Sequence, residues 1–396
     1  MAELYLKNAN VVDVRSKTIR EGQCLLVKDG KYAECAEIPA DAQVIDCNGK
    51  YVSPGLIDAH VHLVWDGRSP DPMTDTVVDG DFVSFARGVE NALLTLKAGV
   101  TYTRDVGSCH DTAFPLAESI NRGIVPGCRI IPCGGAIQGS YGHCPMIGTI
   151  CDTEAELIAK IKQLKAMYVK HKIAGPHWIK IMASGGAAGL EDVGPCMYSP
   201  KELETIAYEA HRLNMKVAAH ALSFDAISKC VEAGIDTIEH GAEMTPEILQ
   251  HMKDHGQTWV PTLGVYKMLA ESRGVVADII VDKSEIVTIK QKASFAQAME
   301  MGTNIIMGSD AGSANFGPHP SGLIEMLAME DYGMPKDEVL WRATVHSAET
   351  LGIKNYGAIE PGFTADFVIL NMNPLTEGVA AYMNGLEQVF KGGEPV

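Results

Sequence analysis

Basic residues are scarce in this chain: 33 Lys and Arg stand against 50 Asp and Glu in 396 residues, for a net charge of −17. A surface of that sign excludes nucleic acid and anionic membranes as partners, because both are held through basic patches. No apolar run approaches the roughly 18 residues that a membrane-spanning helix needs, and residues 1–13 show no cationic stretch followed by an apolar one. These absences predict a cytoplasmic protein that acts on a small molecule, and a homo-oligomer is expected. Paired cysteines are missing as well. The 10 cysteines are scattered without a Cys-x-x-Cys, several in apolar settings such as Ile130-Ile131-Pro132-Cys133, which reads as reduced thiols in a reducing compartment.

What is present reads as an ordinary globular enzyme, with 46% apolar and 21% charged residues and enough chain for a large core. Residues 1–54 are built from short β-like pieces separated by the turn signals Lys28-Asp29-Gly30-Lys31 and Cys47-Asn48-Gly49-Lys50. The same texture returns after Glu360-Pro361-Gly362, with Ala365-Asp366-Phe367-Val368-Ile369-Leu370 as a strand. Residues 1–54 and 361–396 are therefore expected to form one small β-sandwich domain together.

Between them, over 55–360, strand and helix patterns alternate. Strands are predicted at 56–62, 100–106, 129–136, 178–183, 216–220, 237–240, 258–263 and 304–308. Helices are predicted at 82–97, 115–122, 153–168, 199–213, 224–233, 245–254, 283–300 and 321–330. Thr153-Glu154-Ala155-Glu156 is a capping box, and Ser199-Pro200 is an N-cap followed by an N1 proline. Eight such units in tandem predict an α/β fold, a (β/α)8 TIM barrel. An open doubly wound sheet is the alternative, but its Gly-x-Gly-x-x-Gly after a first strand is missing.

In a barrel the active site is assembled at the C-terminal ends of the strands. His60 and His62 end the first strand, in Pro54-Gly55-Leu56-Ile57-Asp58-Ala59-His60-Val61-His62, with their side chains on one face. Lys180 lies inside the fourth strand between apolar neighbours. His220 closes the fifth, His240 the sixth, and Asp310 the eighth, in Ser309-Asp310-Ala311-Gly312. Singly, each has an ordinary explanation: a satisfied core histidine, a buried lysine paired with a carboxylate, an aspartate capping a helix. Six residues of ligand chemistry on the strands of one barrel are hard to explain by packing, and point to a metal site.

With these motifs, and with Lys180-Ile181-Met182-Ala183-Ser184-Gly185-Gly186, Ile238-Glu239-His240-Gly241 and Gly357-Ala358-Ile359-Glu360-Pro361-Gly362, essentially the whole chain resembles the amidohydrolase superfamily of metal-dependent hydrolases. The branch it resembles holds imidazolonepropionase-like enzymes and binuclear Xaa-Pro or Xaa-Arg/Lys dipeptidases and carboxypeptidases. The resemblance implies two divalent metal ions, one held by His60, His62 and Asp310 and the other by His220 and His240, with carbamylated Lys180 bridging them. Burial between apolar neighbours favours the neutral amine that reacts with carbon dioxide. Imidazole and carboxylate ligands suit zinc first. A hydroxide between the ions would be the nucleophile, and Asp310 would carry its proton to the leaving nitrogen.

His143, in Gly139-Ser140-Tyr141-Gly142-His143, resembles the branch's loop histidine that reaches the substrate carbonyl or the tetrahedral intermediate. Here Cys144-Pro145 follows, where the branch usually continues with glycine. Tyr266 matches a tyrosine position of the dipeptidase branch, just past the seventh strand, and His319, on the loop after Asp310, is a further candidate for substrate contact. Arg104-Asp105 is read as an internal ion pair outside the site. The expected activity is hydrolysis of the amide C–N bond of an N-acyl amino acid or dipeptide. Opening of a cyclic amide, imidazolone- or hydantoin-like, is the alternative, as is a non-catalytic scaffold of the same fold.

Overall fold

The computed structural model describes residues 3–35, 42–145, 148–189, 191–317 and 319–396. Pro318, beside His319, lies outside the described residues. Strand Leu4–Asp13 is the hub of the terminal sheet: it pairs antiparallel with Thr18–Lys28, which turns back into Lys31–Ala33. Asp29 (φ 51°) and Gly30 (φ 75°) make that turn in the left-handed conformations that Asp-Gly favours. On its other edge the same strand pairs in parallel with Gln43–Asp46 through its first half and with Tyr51–Pro54 through its second. Phe367–Leu370 then adds to Tyr51–Pro54, followed by Leu386–Lys391 and Glu394–Pro395. The two ends of the chain thus share one sheet. Where two stacked sheets are expected, all eight strands are hydrogen-bonded into one, because the ten-residue hub strand serves two partners on one edge. Its apolar side buries Leu6, Val11, Val52, Phe367 and Phe390, the last two stacked at 4.4 Å.

Tyr51–Pro54 runs through Gly55 into the first of the central strands. These are parallel and form two sheets, Leu56–Val61 with Val100–Asp105 and Arg129–Pro132, and a six-stranded one containing Trp178–Met182, Lys216–Ala221, Thr237–His240 and Thr258–Val260. The predicted strand 304–308 is an extended segment with isolated bridges instead of a ladder. Trp259 bridges Ile305 and Val61 bridges Ala311. The Ala59 N–H donates to Met307 O (3.0 Å) and the Asp310 N–H to His60 O (2.7 Å), so this segment joins the last strand of one sheet to the first of the other. The predicted strand 129–136 stops at Pro132, and Gly134, at φ 73°, turns the chain before the short strand Ile137–Gln138.

Helix Glu154–Lys170 carries the Thr153/Glu156 capping box, and Pro200–Arg212 carries the equivalent pair, Ser199 and Glu202. Helix Pro72–Lys97 begins ten residues earlier than predicted and is broken at Gly80. Asp278–Met301 also begins earlier, at Asp278. Thr258–Val260 is shorter than its prediction because a helix, Leu263–Ala270, starts where the strand was expected to end. Tyr266 therefore rides on a helix. No helix of the described residues is long and apolar enough to cross a membrane.

Candidate active site

His60, on strand Leu56–Val61, is fully buried. Its Nδ1 donates to Glu239 Oε2 at 2.7 Å, since an ionised carboxylate can only accept. The proton is thereby held on Nδ1, and Nε2 turns toward Asp310 Oδ1, 3.5 Å away, buried and without a hydrogen-bond partner. Glu239 is itself gripped from behind by Arg104, whose Nη2 donates to Oε1 at 2.8 Å; both side chains are 0% exposed. Burial alone would raise the Glu239 carboxyl, but Arg104 and His60 outweigh it and hold it at about 2.

The expected Arg104–Asp105 pair does not form. Adjacent residues of a strand face opposite sides, so Arg104 turns to Glu239 while Asp105 accepts from the Leu63 N–H (2.9 Å) and the Gly107 N–H (3.3 Å). Asp105 thereby holds both Leu63, next to His62, and Gly107, whose carbonyl accepts from the His62 Nδ1. The His62 Nδ1 donates to Gly107 O at 2.9 Å, its Nε2 lies 3.2 Å from Asp310 Oδ1, and its ring stacks on Trp65 at 3.8 Å.

The other ligand candidates converge on the same place. His240 has φ 69°, a left-handed exit from strand Thr237–His240, and its Nδ1 bonds Thr262 Oγ1 at 2.8 Å. Its ring centroid is 4.9 Å from that of His60 and 4.5 Å from that of His220, whose Nε2 donates to Gly185 O at 3.2 Å. Burial pushes both His220 and His240 well below the usual imidazole range, which leaves them neutral, the form that binds metals. Lys180 is buried on strand Trp178–Met182, and burial pushes its ammonium down to about 8 against the pull of Glu239 and Asp310. Asp310, also left-handed at φ 65°, is held well below the carboxylate range by His60 and His62 even though burial opposes it.

Ligand atoms of His60, His240 and Asp310 lie within 4.8 Å of one another. The unpartnered Nε2 of His60, the neutral imidazoles and the carboxylate are a donor set that fits a divalent ion. His60, His62, Lys180, His220, His240 and Asp310 all line one cavity.

His143 and Tyr266 line that cavity too. The His143 ring stacks on His220 at 4.6 Å; its Nδ1 bonds Glu191 Oε1, and the Cys144 Sγ lies 3.1 Å from its Nε2. Burial would raise the Glu191 carboxyl, but the His143 bond holds it at about 2. The Tyr266 ring stands edge-on to His240 at 5.6 Å, and burial pushes its hydroxyl well above the usual phenol range, so it stays a donor. His319 stands behind the cluster and not in the cavity lining: it is buried, its Nδ1 lies 3.3 Å from Thr95 Oγ1, and it packs against His62. Glu239 and Glu191, which brace His60 and His143, and Trp65 and Met73, which line the cavity, were not expected from the sequence, and Arg104 was placed outside the site. Only Glu239 carried a signal, as the neighbour of His240 that shares a strand face with Thr237.

The sequence pattern of the Amidohydrolase family matches residues 51–396. Ochratoxinase of Aspergillus niger is 25% identical over 372 residues, covering 86% of this chain and 74% of that protein. Imidazolonepropionase of Kosmotoga olearia is 23% identical over 389 residues, covering 91% of this chain and 87% of that one. Among solved structures, a Xaa-Pro dipeptidase with methionine bound in its active site superposes with a TM-score of 0.89 at 25% identity, over 100% of both chains. A prolidase complexed with N-methylphosphonate-L-proline gives 0.88 at 26%, over 100% of this chain and 99% of the other. With its cavity of buried histidines and a family match running from the terminal sheet through every central strand, the chain belongs to the amidohydrolase family and is a hydrolase acting on carbon–nitrogen bonds.

Proposed function

We propose that the chain is a binuclear metal-dependent amidohydrolase that cleaves the amide C–N bond of N-acyl amino acids or dipeptides. The observation that carries this reading is the convergence of His60, His62, Lys180, His220, His240 and Asp310 on one cavity, with the His60 Nε2 buried and unpartnered. The parallel strands are read as a (β/α)8 barrel over 55–360, with residues 1–54 and 361–396 as the small β domain. His60, His62 and Asp310 would hold one divalent ion and His220 and His240 a second, zinc before others, with Lys180 as its carbamate between them. Metal ions bound there would acidify water and polarise the scissile carbonyl.

The protein's own groups divide the remaining work. Asp310 takes the proton of the attacking water on a carboxylate oxygen and delivers it to the departing nitrogen. His143, its Nδ1 paired with Glu191, stabilises the carbonyl oxygen as charge develops there only as an imidazolium that donates from Nε2, and Tyr266 offers a protonated hydroxyl to the same region. Glu239 and Arg104 keep the His60 tautomer fixed. His319, bonded to Thr95, has a packing role. The likeness to a Xaa-Pro dipeptidase and to a prolidase complexed with N-methylphosphonate-L-proline supports a peptide-like substrate.

The test is a metal assay combined with a screen of metal-loaded protein against N-acyl amino acids, dipeptides and cyclic amides. Two ions per chain and release of free amino acid are expected. One tightly held ion would overturn the binuclear reading, and turnover confined to cyclic amides would overturn the substrate class.

A further inference from the structure

The cavity over the ligands does not end at Met73. Pro72, Met73, Ala188 and Ala314 line it, and the same four residues line a second cavity, whose far side is Val275, Val276, Ile279 and Ile280. Val275 and Ile279 are 54% and 41% exposed, so this second space is an apolar groove leading from the ligand cluster to the surface. Among the described residues lining it, Asp71 alone is ionisable, and its carboxylate is occupied as the N-cap of helix Pro72–Lys97, accepting from the Thr74 N–H at 3.1 Å.

The walls are fixed to one another. Lys283 on helix Asp278–Met301 donates to Gly189 O and Glu191 O at 2.7 Å each and to Gly186 O at 3.4 Å, which pins the loop carrying Ala187 and Ala188. The Asn315 N–H donates to Ser69 O at 3.0 Å and its Nδ2 to Ser272 Oγ at 2.8 Å, tying the segments on both sides of Ala314 together. A preformed apolar channel that opens onto a few convergent polar groups is the usual form of a small-molecule site.

We propose that this groove is a specificity subsite for an uncharged, bulky apolar group, an alkyl chain or aryl ring joined to the scissile amide, and this rests on the amide-hydrolase reading above. A group in the groove gains from leaving water, roughly 0.8 kcal/mol for each buried CH₂. An anionic group would lose hydration there without a partner, and a cationic one would find only the capping carboxylate of Asp71.

The experiment measures binding and turnover separately in the metal-loaded protein. Binding is read by calorimetry with non-cleavable ketone analogues, in which CH₂ replaces the amide N–H. One series changes the acyl group from acetyl to octanoyl on phenylalanine; a second changes the residue from glycine to phenylalanine under a fixed acetyl group. Hydrolysis of the matching amides is followed alongside. At least a tenfold tighter Kd for the bulky member of one series is expected, falling below threefold in Ile279→Asp, at an exposed position, and in Ala188→Phe, which fills the junction. The ratio is taken within each protein, so partial misfolding of a variant cancels. Equal Kd values in both series, or a preference that survives in both variants, would overturn the subsite whether or not the amides are cleaved. Groove-dependent binding without any turnover would support the subsite and overturn amide hydrolysis alone.

Discussion

His60 and His143 each give one ring nitrogen to a glutamate, yet the two glutamates live in different surroundings. Glu239 sits among strands with no exposed surface, backed by Arg104 and Thr237. Glu191 sits on a loop after strand Trp178–Met182, its side chain 14% exposed, held at its backbone by Lys283 and at its carboxylate by the Gly186 N–H. A strand pair of this kind has a single geometry, because every alternative leaves a buried charge unpaired. The loop pair keeps part of its surface open to solvent, so its charge is never wholly without a partner. The ligand side of the cavity is thus built for fixed positions and the His143 side for contact with something that arrives.

The largest way to break that contrast is Arg104→Met. It strands the Glu239 carboxylate in the interior, and a loss of about 3–5 kcal/mol in unfolding free energy is expected from the urea midpoint. A midpoint equal to wild type would mean the pair is not what holds the strands. Glu239→Gln is milder, because the amide can still accept from His60. Metal affinity is expected to fall by roughly 10–100-fold in competition with a chelating dye; an unchanged affinity would show that His60 orients itself.

Glu191→Gln tests the other side. About a tenfold drop in kcat/KM is expected with metal content untouched, from the loss of a charged hydrogen bond to His143. If metal content fell instead, Glu191 would belong with Glu239. The smallest effect concerns Glu325 on helix Gly322–Asp331, whose carboxyl accepts from the Gly264 N–H at 2.7 Å at the start of the Tyr266 helix. Burial pushes it from 4.5 up to about 8. The folded chain keeps it neutral while the unfolded chain ionises near 4.5, so its contribution is complete below that pH and is lost as pH rises toward 8. Wild-type stability should therefore decline from pH 5 to pH 8 relative to Glu325→Gln, measured by denaturant titration, and parallel curves would remove Glu325 from the account.

The same contrast explains what could be read from the chain. The convergence of His60, His62, Lys180, His220, His240 and Asp310 on one cavity was legible because five of them lie in or just past parallel strands and Asp310 follows the extended segment that bridges the two sheets. Arg104 misled, since its sequence neighbour Asp105 looked like its partner while the pleat sends the two to opposite faces. The partner lies 135 positions away, at Glu239. Glu191 was invisible for a different reason: loops have no period, and only the folded chain shows what they meet, while Met73 lies in the first turn of helix Pro72–Lys97, ahead of where that helix was expected to begin. Tyr266 was found by its position, but the helix that carries it was missed, because Thr262, at φ 50°, turns the backbone abruptly after a short strand. His319 shows the limit from the other side, a loop histidine near Asp310 in sequence that ends on Thr95.

The pairing of Tyr51–Pro54 with Phe367–Leu370 carries a consequence for biosynthesis. A ribosome releases the first of these strands more than 300 residues before the second, as their positions require. Over that interval the edge of Tyr51–Pro54 stands open, the kind of unpaired edge that invites pairing with another chain. Because this strand continues through Gly55 into Leu56–Val61, the segment bearing His60 has an unfinished anchor until the last tenth of the chain has emerged. His60 and Asp310, 250 positions apart, thus come into their final register late, and a nascent chain stalled before residue 367 would expose a sticky edge and an unassembled cavity together.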